Sequence, residues 1–245
     1  MSNEMKLIIE SWKCYIKENV RKDFKIFLDM DGVLVAFTKG HTEAIIAAIQ
    51  KDPETIESKS SKKILKKINS YQGDDREEIT IDFLNNLLVK RDNKLEMTKW
   101  EKLIKSFQFK LITNNMDYWV NLEKAEGCDE LVKGCRDLVG YENVYILSAP
   151  INNDEGSYQG KMEWLKNSGL GFDEEYIILN SEKQEVTDQF PNSTCILVDD
   201  REKYLNKFTD ENLENPGIGV LHSPKASIEG TNNSLSKLKE IIKTS

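Results

Sequence analysis

Four short apolar runs constrain this chain more than any other feature: KIFL at 25–28, VYIL at 144–147, YIIL at 176–179 and CILV at 195–198. A run of four apolar residues bounded by polar ones is the length of a fully buried strand, too short for a buried helix. Helix-period segments lie between the runs, among them 128–139, 160–167 and a helix near 201–208. A fifth run, Ile218–Leu221, is followed by a closing helix over Leu235–Ile242. Strands alternating with helices predict an α/β fold: a parallel sheet with helices on both faces.

The first strand is separated from the rest by a long helical stretch. Residues 41–50, 77–90 and 97–109 carry helix signals, and 38–110 contains no convincing strand. The polar, lysine-rich stretch 51–78 is broken by Pro53 and Gly73. The expected organisation is an N-terminal helical extension over 1–22, with an amphipathic helix at 4–20. A core over 23–37 and 111–245 comes next, with a helical insertion over 38–110 after the first strand.

Composition removes several chemistries. The net charge of −8 argues against a nucleic-acid coat or a binder of anionic membranes. Two histidines, His41 and His222, disfavour a histidine-rich metal cage. The four cysteines contain no CxxC, and Cys128 and Cys135 share a helical face with Leu131, Val132, Leu138 and Val139. Metal chemistry, if present, has to run on carboxylates. Lys59, Lys62, Lys63, Lys66 and Lys67 flank Ile64, Leu65 and Ile68 as the solvated side of a helix. The N-terminus lacks a basic start, a long apolar run and a small-residue cleavage site, so a cytoplasmic, unprocessed, non-membrane protein is expected.

Each apolar run leads into chemically active residues. Ligands of open α/β sheets bind beyond the carboxyl ends of the strands. Here those positions hold Asp29 and Asp31, then Ser148, then Asn180 to Lys183, then Asp199 and Asp200. The set suits phosphoryl transfer. Asp29 can attack phosphorus in line. Asp31 can protonate the leaving alkoxide and later deprotonate water. A phosphate dianion approaching several carboxylates needs a cation, and hard oxygen ligands suit Mg²⁺ on Asp29, the backbone carbonyl of Asp31, and Asp200 or Asp199. Ser148 can hydrogen-bond a phosphoryl oxygen. Lys183 can neutralise part of its charge, with Lys161 a second candidate for that role.

The order DMDG, LSAP, SEK and LVDDR resembles the four motifs of the haloacid dehalogenase-like phosphatase superfamily. FLDMDGVLVAF at 27–37, DYWVNLEKAEG at 117–127 and VYILSAP at 144–150 resemble the 5'(3')-deoxyribonucleotidase family. So do KMEWLKNSG at 161–169, ILVDDR at 196–201 and GIGVLH at 217–222. The resemblance implies a Rossmann-like parallel-sheet core over 23–37 and 111–245, a helical cap over 38–110 inserted after the first strand, and Mg²⁺-dependent hydrolysis of nucleoside 5'- or 3'-monophosphates. Asp29 would be the nucleophile and Asp31 the acid/base. The position matching Phe37 meets the base, and Tyr118 and Trp119 fall where further base-facing aromatics are expected. Three features depart from the family: Ala36 where an acid is more frequent, a longer stretch at 51–78, and the additional N-terminal helix. Phosphatases for another small phosphomonoester or a polynucleotide 3'-end are the alternatives, and a homodimer is left open.

Overall fold

In the computed structural model, residues 23–71, 81–92, 94–112, 115–151 and 155–244 are described. The expected N-terminal helix at 4–20 and the break at Gly73 lie outside them. Five parallel strands form one sheet: β1 (Phe24–Leu28), β2 (Val144–Ser148), β3 (Ile177–Leu179), β4 (Thr194–Asp199) and β5 (Ile218–Leu221). Their spatial order is β3-β2-β1-β4-β5. The chain therefore reverses its direction of winding between β1 and β4, which opens a crevice beyond those two strands.

Period-two alternation sends each strand's side chains to two different cores. Ile26, Leu28, Ile146, Ile196 and Val198 face a cluster closed by α6 (Cys128–Val139), α7 (Glu155–Asn167) and α9 (Ile228–Thr244). Phe27, Leu147, Cys195 and Leu197 face the opposite way, against Val186 of a short 3₁₀ turn and Leu205 and Phe208 of α8 (Glu202–Phe208). Cys128 and Cys135 are buried free thiols pushed up to about 12 by burial, consistent with their place on the helix face.

Among the described residues, four α-helices lie between β1 and α5 (Met116–Val120): α1 (Phe37–Gln50), α2 (Lys59–Asn69), α3 (Ile81–Asp92) and α4 (Lys99–Ile112). They enclose a second cluster, with Ile45, Leu65, Ile68, Leu84, Leu87, Trp100, Ile104 and Phe107 buried and Tyr71 stacked on Trp100 at 4.5 Å. Helix α1 begins at Phe37, four residues before the sequence pattern at 41–50 starts, because the turn after β1 leads straight into it. Helix α9 likewise begins at Ile228 rather than near Leu235. The lysine-rich segment forms α2 as expected. Lys62 and Lys66 both pair with Glu54, and Leu65 and Ile68 turn inward.

Candidate active site

The turn after β1 is built by its own backbone. The amides of Leu34 and Val35 both donate to the Met30 carbonyl, at 2.9 and 3.0 Å. Gly32 has a φ of +82°, and a Cβ there would lie 2.6 Å from Oδ2 of Asp200. Glycine is required both for the left-handed backbone and for the close approach. The Asp29 amide donates to the Val198 carbonyl at 2.9 Å, which locks the end of β1 to β4 and sets Asp29 beside the acidic pair.

One carboxylate oxygen each from Asp29, Asp199 and Asp200 falls within 4.8 Å of the others. Burial of like charges this close is unfavourable unless cations compensate. Lys183 does so in part: its buried Nζ lies 2.8 Å from Asp29 Oδ1 and 2.5 Å from Asp199 Oδ2. Burial opposes its charge, but the two carboxylates win and hold the ammonium protonated above the ordinary lysine range. Nζ also sits 4.6 Å from the centre of the Tyr204 ring on α8.

The two adjacent aspartates differ in what remains open. Asp199 spends both oxygens, one on Lys183 and the other on the Arg201 amide at 2.8 Å. Asp200 pairs through Oδ2 with Lys225 at 2.9 Å, while its Oδ1 is buried with no donor. Burial and Asp29 push the Asp200 carboxyl up to about 6, with Lys225 opposing. An orphaned, buried carboxylate oxygen beside two further acids is the donor chemistry of a hard divalent cation. The residues therefore fit Mg²⁺, with Asp29 and Asp200 the available side-chain ligands and Asp199 the group that holds Lys183.

Lys161, on α7, is fully buried and uses all three of its protons. They go to Asp31 Oδ2 at 2.8 Å, to Ser148 Oγ at 3.0 Å and to the Ala149 carbonyl at 3.0 Å. The contact leaves the Ser148 O–H free to donate elsewhere. Burial raises the Asp31 carboxyl above the usual range, with Lys161 opposing and Asp29 adding to the rise. Its Oδ1 also lacks a donor. The two lysine candidates thus serve different carboxylates: Lys183 pairs with Asp29 and Asp199, and Lys161 with Asp31 beside Ser148. Lys161 reaches this position because α7 runs close to α5 at Gly160, where a Cβ would lie 2.5 Å from Cβ of Trp119.

The three aromatics gather beside Lys161. Phe37 stacks on Trp119 at 5.6 Å and meets Tyr118 edge-on at 6.3 Å, and His41 stacks on Phe37 at 5.4 Å. Phe37 and Tyr118 are half-buried. Trp119 is only 1% exposed; its indole N–H donates to the Ile112 carbonyl at 3.2 Å, and Lys161 Nζ lies 5.0 Å from its ring. In this arrangement Trp119 is a wall behind Phe37 and Lys161, with no open face for a base. Phe37 and Tyr118 are the accessible members.

Sequence reasoning missed two neighbours of the site. Lys225 comes after β5, a strand whose carboxyl end faces the same way as the others, so the segment 222–226 carried the same positional signal as the other strand ends. Tyr204 lies in the first turn of the helix after the acidic pair, where only its proximity in sequence could have marked it.

No family model matches the sequence, and neither does any curated protein. Among solved structures, the chain is similar to a protein from Burkholderia xenovorans LB400 described as a haloacid dehalogenase-like hydrolase. That match has 12% identity and a TM-score of 0.47, covering 89% of this chain and 98% of the other. A hydrolase from Streptococcus pneumoniae TIGR4 matches at 12% identity and a TM-score of 0.43, covering 91% and 100%. A Bacillus subtilis protein, YfnB, described as a HAD-hydrolase bound to magnesium, matches at 13% identity and a TM-score of 0.42, covering 91% and 99%. No helix among the described residues is long and apolar enough to cross a membrane.

Proposed function

We propose that this protein is a Mg²⁺-dependent phosphomonoester hydrolase that works through an aspartyl-phosphate, with nucleoside 5'- or 3'-monophosphates as substrates. The observation that carries the reading is the meeting of Asp29, Asp199 and Asp200 at the crevice between β1 and β4, with Lys183 paired to the first two. It is supported by the order of the strand-end residues in the sequence.

Asp29 attacks phosphorus, and the bond from phosphorus to the ester oxygen breaks on the opposite side. Asp31 gives its proton to the departing alkoxide; the raised carboxyl of Asp31 suits that role. Asp31 then removes a proton from water as the water attacks the phosphoryl group on Asp29. The bond from phosphorus to Asp29 breaks, which restores the carboxylate and releases phosphate. The free O–H of Ser148 donates to a phosphoryl oxygen, and Lys183 keeps Asp29 oriented while offsetting local negative charge. Asp29 and Asp200, with the Asp31 carbonyl, would hold Mg²⁺, which when bound would supply the positive charge that offsets that of an anionic substrate.

The substrate assignment rests on the aromatic group. Phe37 opens α1 eight residues after Asp29, and the Tyr118 hydroxyl reaches its carbonyl at 3.5 Å. The two half-buried rings meet edge-on, and Tyr118 lies close enough to Asp31 to feel its charge, so they offer aromatic contact surface beside the acid/base that suits a nucleobase. A panel of nucleoside monophosphates, sugar phosphates and 3'-phosphorylated oligonucleotides, with Mg²⁺ and with EDTA, tests the proposal. The expected result is hydrolysis that requires Mg²⁺ and is fastest on the nucleoside monophosphates. Full turnover in EDTA removes the mechanism, and preference for a sugar phosphate removes the substrate class.

A further inference from the structure

We propose that Lys225 is a tethered cation that competes with Mg²⁺ for Asp200 and so sets the metal affinity of the site. The inference rests on reading the acidic trio as the Mg²⁺ site. Asp200 offers two oxygens, one paired with Lys225 Nζ at 2.9 Å and the other without a donor. A divalent ion that binds this carboxylate must displace the ammonium or share the carboxylate with it. Displacement costs the ion pair, and sharing places like charges side by side; either way binding is weaker than at a bare Asp200.

The lysine is delivered there by a built turn. The Ala226 amide donates to the Gly32 carbonyl at 2.7 Å, tying the segment to the turn that carries Asp31. Ser227 Oγ donates to the Pro224 carbonyl at 2.9 Å, and Asn233 Nδ2 on α9 donates to the Ser223 carbonyl at 3.0 Å. Ala226 takes a φ of +48°, a conformation non-glycine residues seldom adopt, and it turns the chain so that Lys225 meets Asp200. The Lys225 side chain is 46% exposed, so it can swing into solvent when the ion arrives. The same exposure keeps the effect moderate.

The experiment is titration of the full chain with MgCl₂ by isothermal calorimetry, at low and at high ionic strength and without substrate. Lys225→Met should bind Mg²⁺ about 3- to 10-fold more tightly than the wild type at low salt, and the gap should narrow at high salt. Lys225→Arg, which keeps a cation there, should stay near the wild type. Wild-type protein that binds Mg²⁺ while Lys225→Met binds it equally or more weakly overturns the role of Lys225 and leaves the proposed function standing. Absence of Mg²⁺ binding in both proteins overturns the two together.

Discussion

Glu101 in the helical insertion and Asp200 at the sheet are both buried carboxylates, and the fold treats them in opposite ways. Glu101 receives Lys90 Nζ on Oε1 at 2.5 Å and the Thr98 amide on Oε2 at 2.8 Å, while its own amide donates to Thr98 Oγ1 at 3.1 Å. That reciprocal bonding caps α4. Burial pushes the Glu101 carboxyl up, but Lys90 and Thr98 outweigh it and hold it below the usual range. Asp200 is left with an orphaned oxygen and is pushed up to about 6, chiefly by burial. The difference separates a charge that the fold satisfies from one with a buried oxygen left open. Unsatisfied buried groups persist where function needs them, and the rest of the structure carries their cost.

The contrast can be broken most sharply at Asp29. Asp29→Asn should lower turnover by at least about a thousandfold, a loss typical of removing a nucleophile, while the melting temperature stays within a few degrees. Turnover within tenfold of wild type would remove Asp29 from that role. On the insertion side, Glu101→Ala should cost about 1–2 kcal/mol of stability, since the Thr98 amide loses its acceptor while the part-exposed Lys90 turns to water. Urea unfolding at pH 7 measures it, and no loss would mean that the capping bonds add nothing to stability.

Asp200→Asn should do the reverse in EDTA. The folded Asp200 carboxyl stands above its value of 3.8 in the unfolded chain, so its contribution to stability is full below about pH 4 and lost as pH rises through about 6. Removing the charge should therefore stabilise the metal-free protein at pH 7–8 by about 1–3 kcal/mol, with no gain near pH 4. A melting temperature that falls at pH 8 would contradict this. For the same reason, Mg²⁺ affinity of the wild type should weaken as pH drops through 6, read by calorimetry. The smallest effect is expected at Phe37. Phe37→Ala should lower kcat/KM for nucleoside monophosphates by about tenfold through lost aromatic contact and leave a small aryl phosphate nearly untouched. Equal losses on both substrates would place Phe37 in support of the catalytic centre instead.

The sheet was legible in the sequence because its central strands β1, β2 and β4 bury both faces and so are written as nearly unbroken apolar runs, with β3 and β5 as shorter runs at the edges. The residue after the run then falls at the carboxyl end without further argument. That is how Asp29, Ser148, Asp199 and Asp200 could be placed from sequence alone. Partnerships were less legible. Nothing local distinguishes Asp199 from Asp200, since the division of their oxygens depends on Lys183 and Lys225, 16 and 25 residues away respectively. Trp119 illustrates the same limit. Its type and position fit a base-facing aromatic, but the missing Cβ of Gly160 lets α7 close over it, and only the packed helices reveal that its faces are taken.

The central claim is that Asp29 carries the phosphoryl group. A single turnover with a nucleoside monophosphate and Mg²⁺, quenched in acid and read by peptide mass spectrometry, tests it directly. The account predicts one phosphoryl group on the peptide containing Asp29 at early times, gone at completion and absent in Asp29→Asn. Complete hydrolysis with no phosphorylated peptide at any time, or a phosphoryl group on another residue, would contradict it.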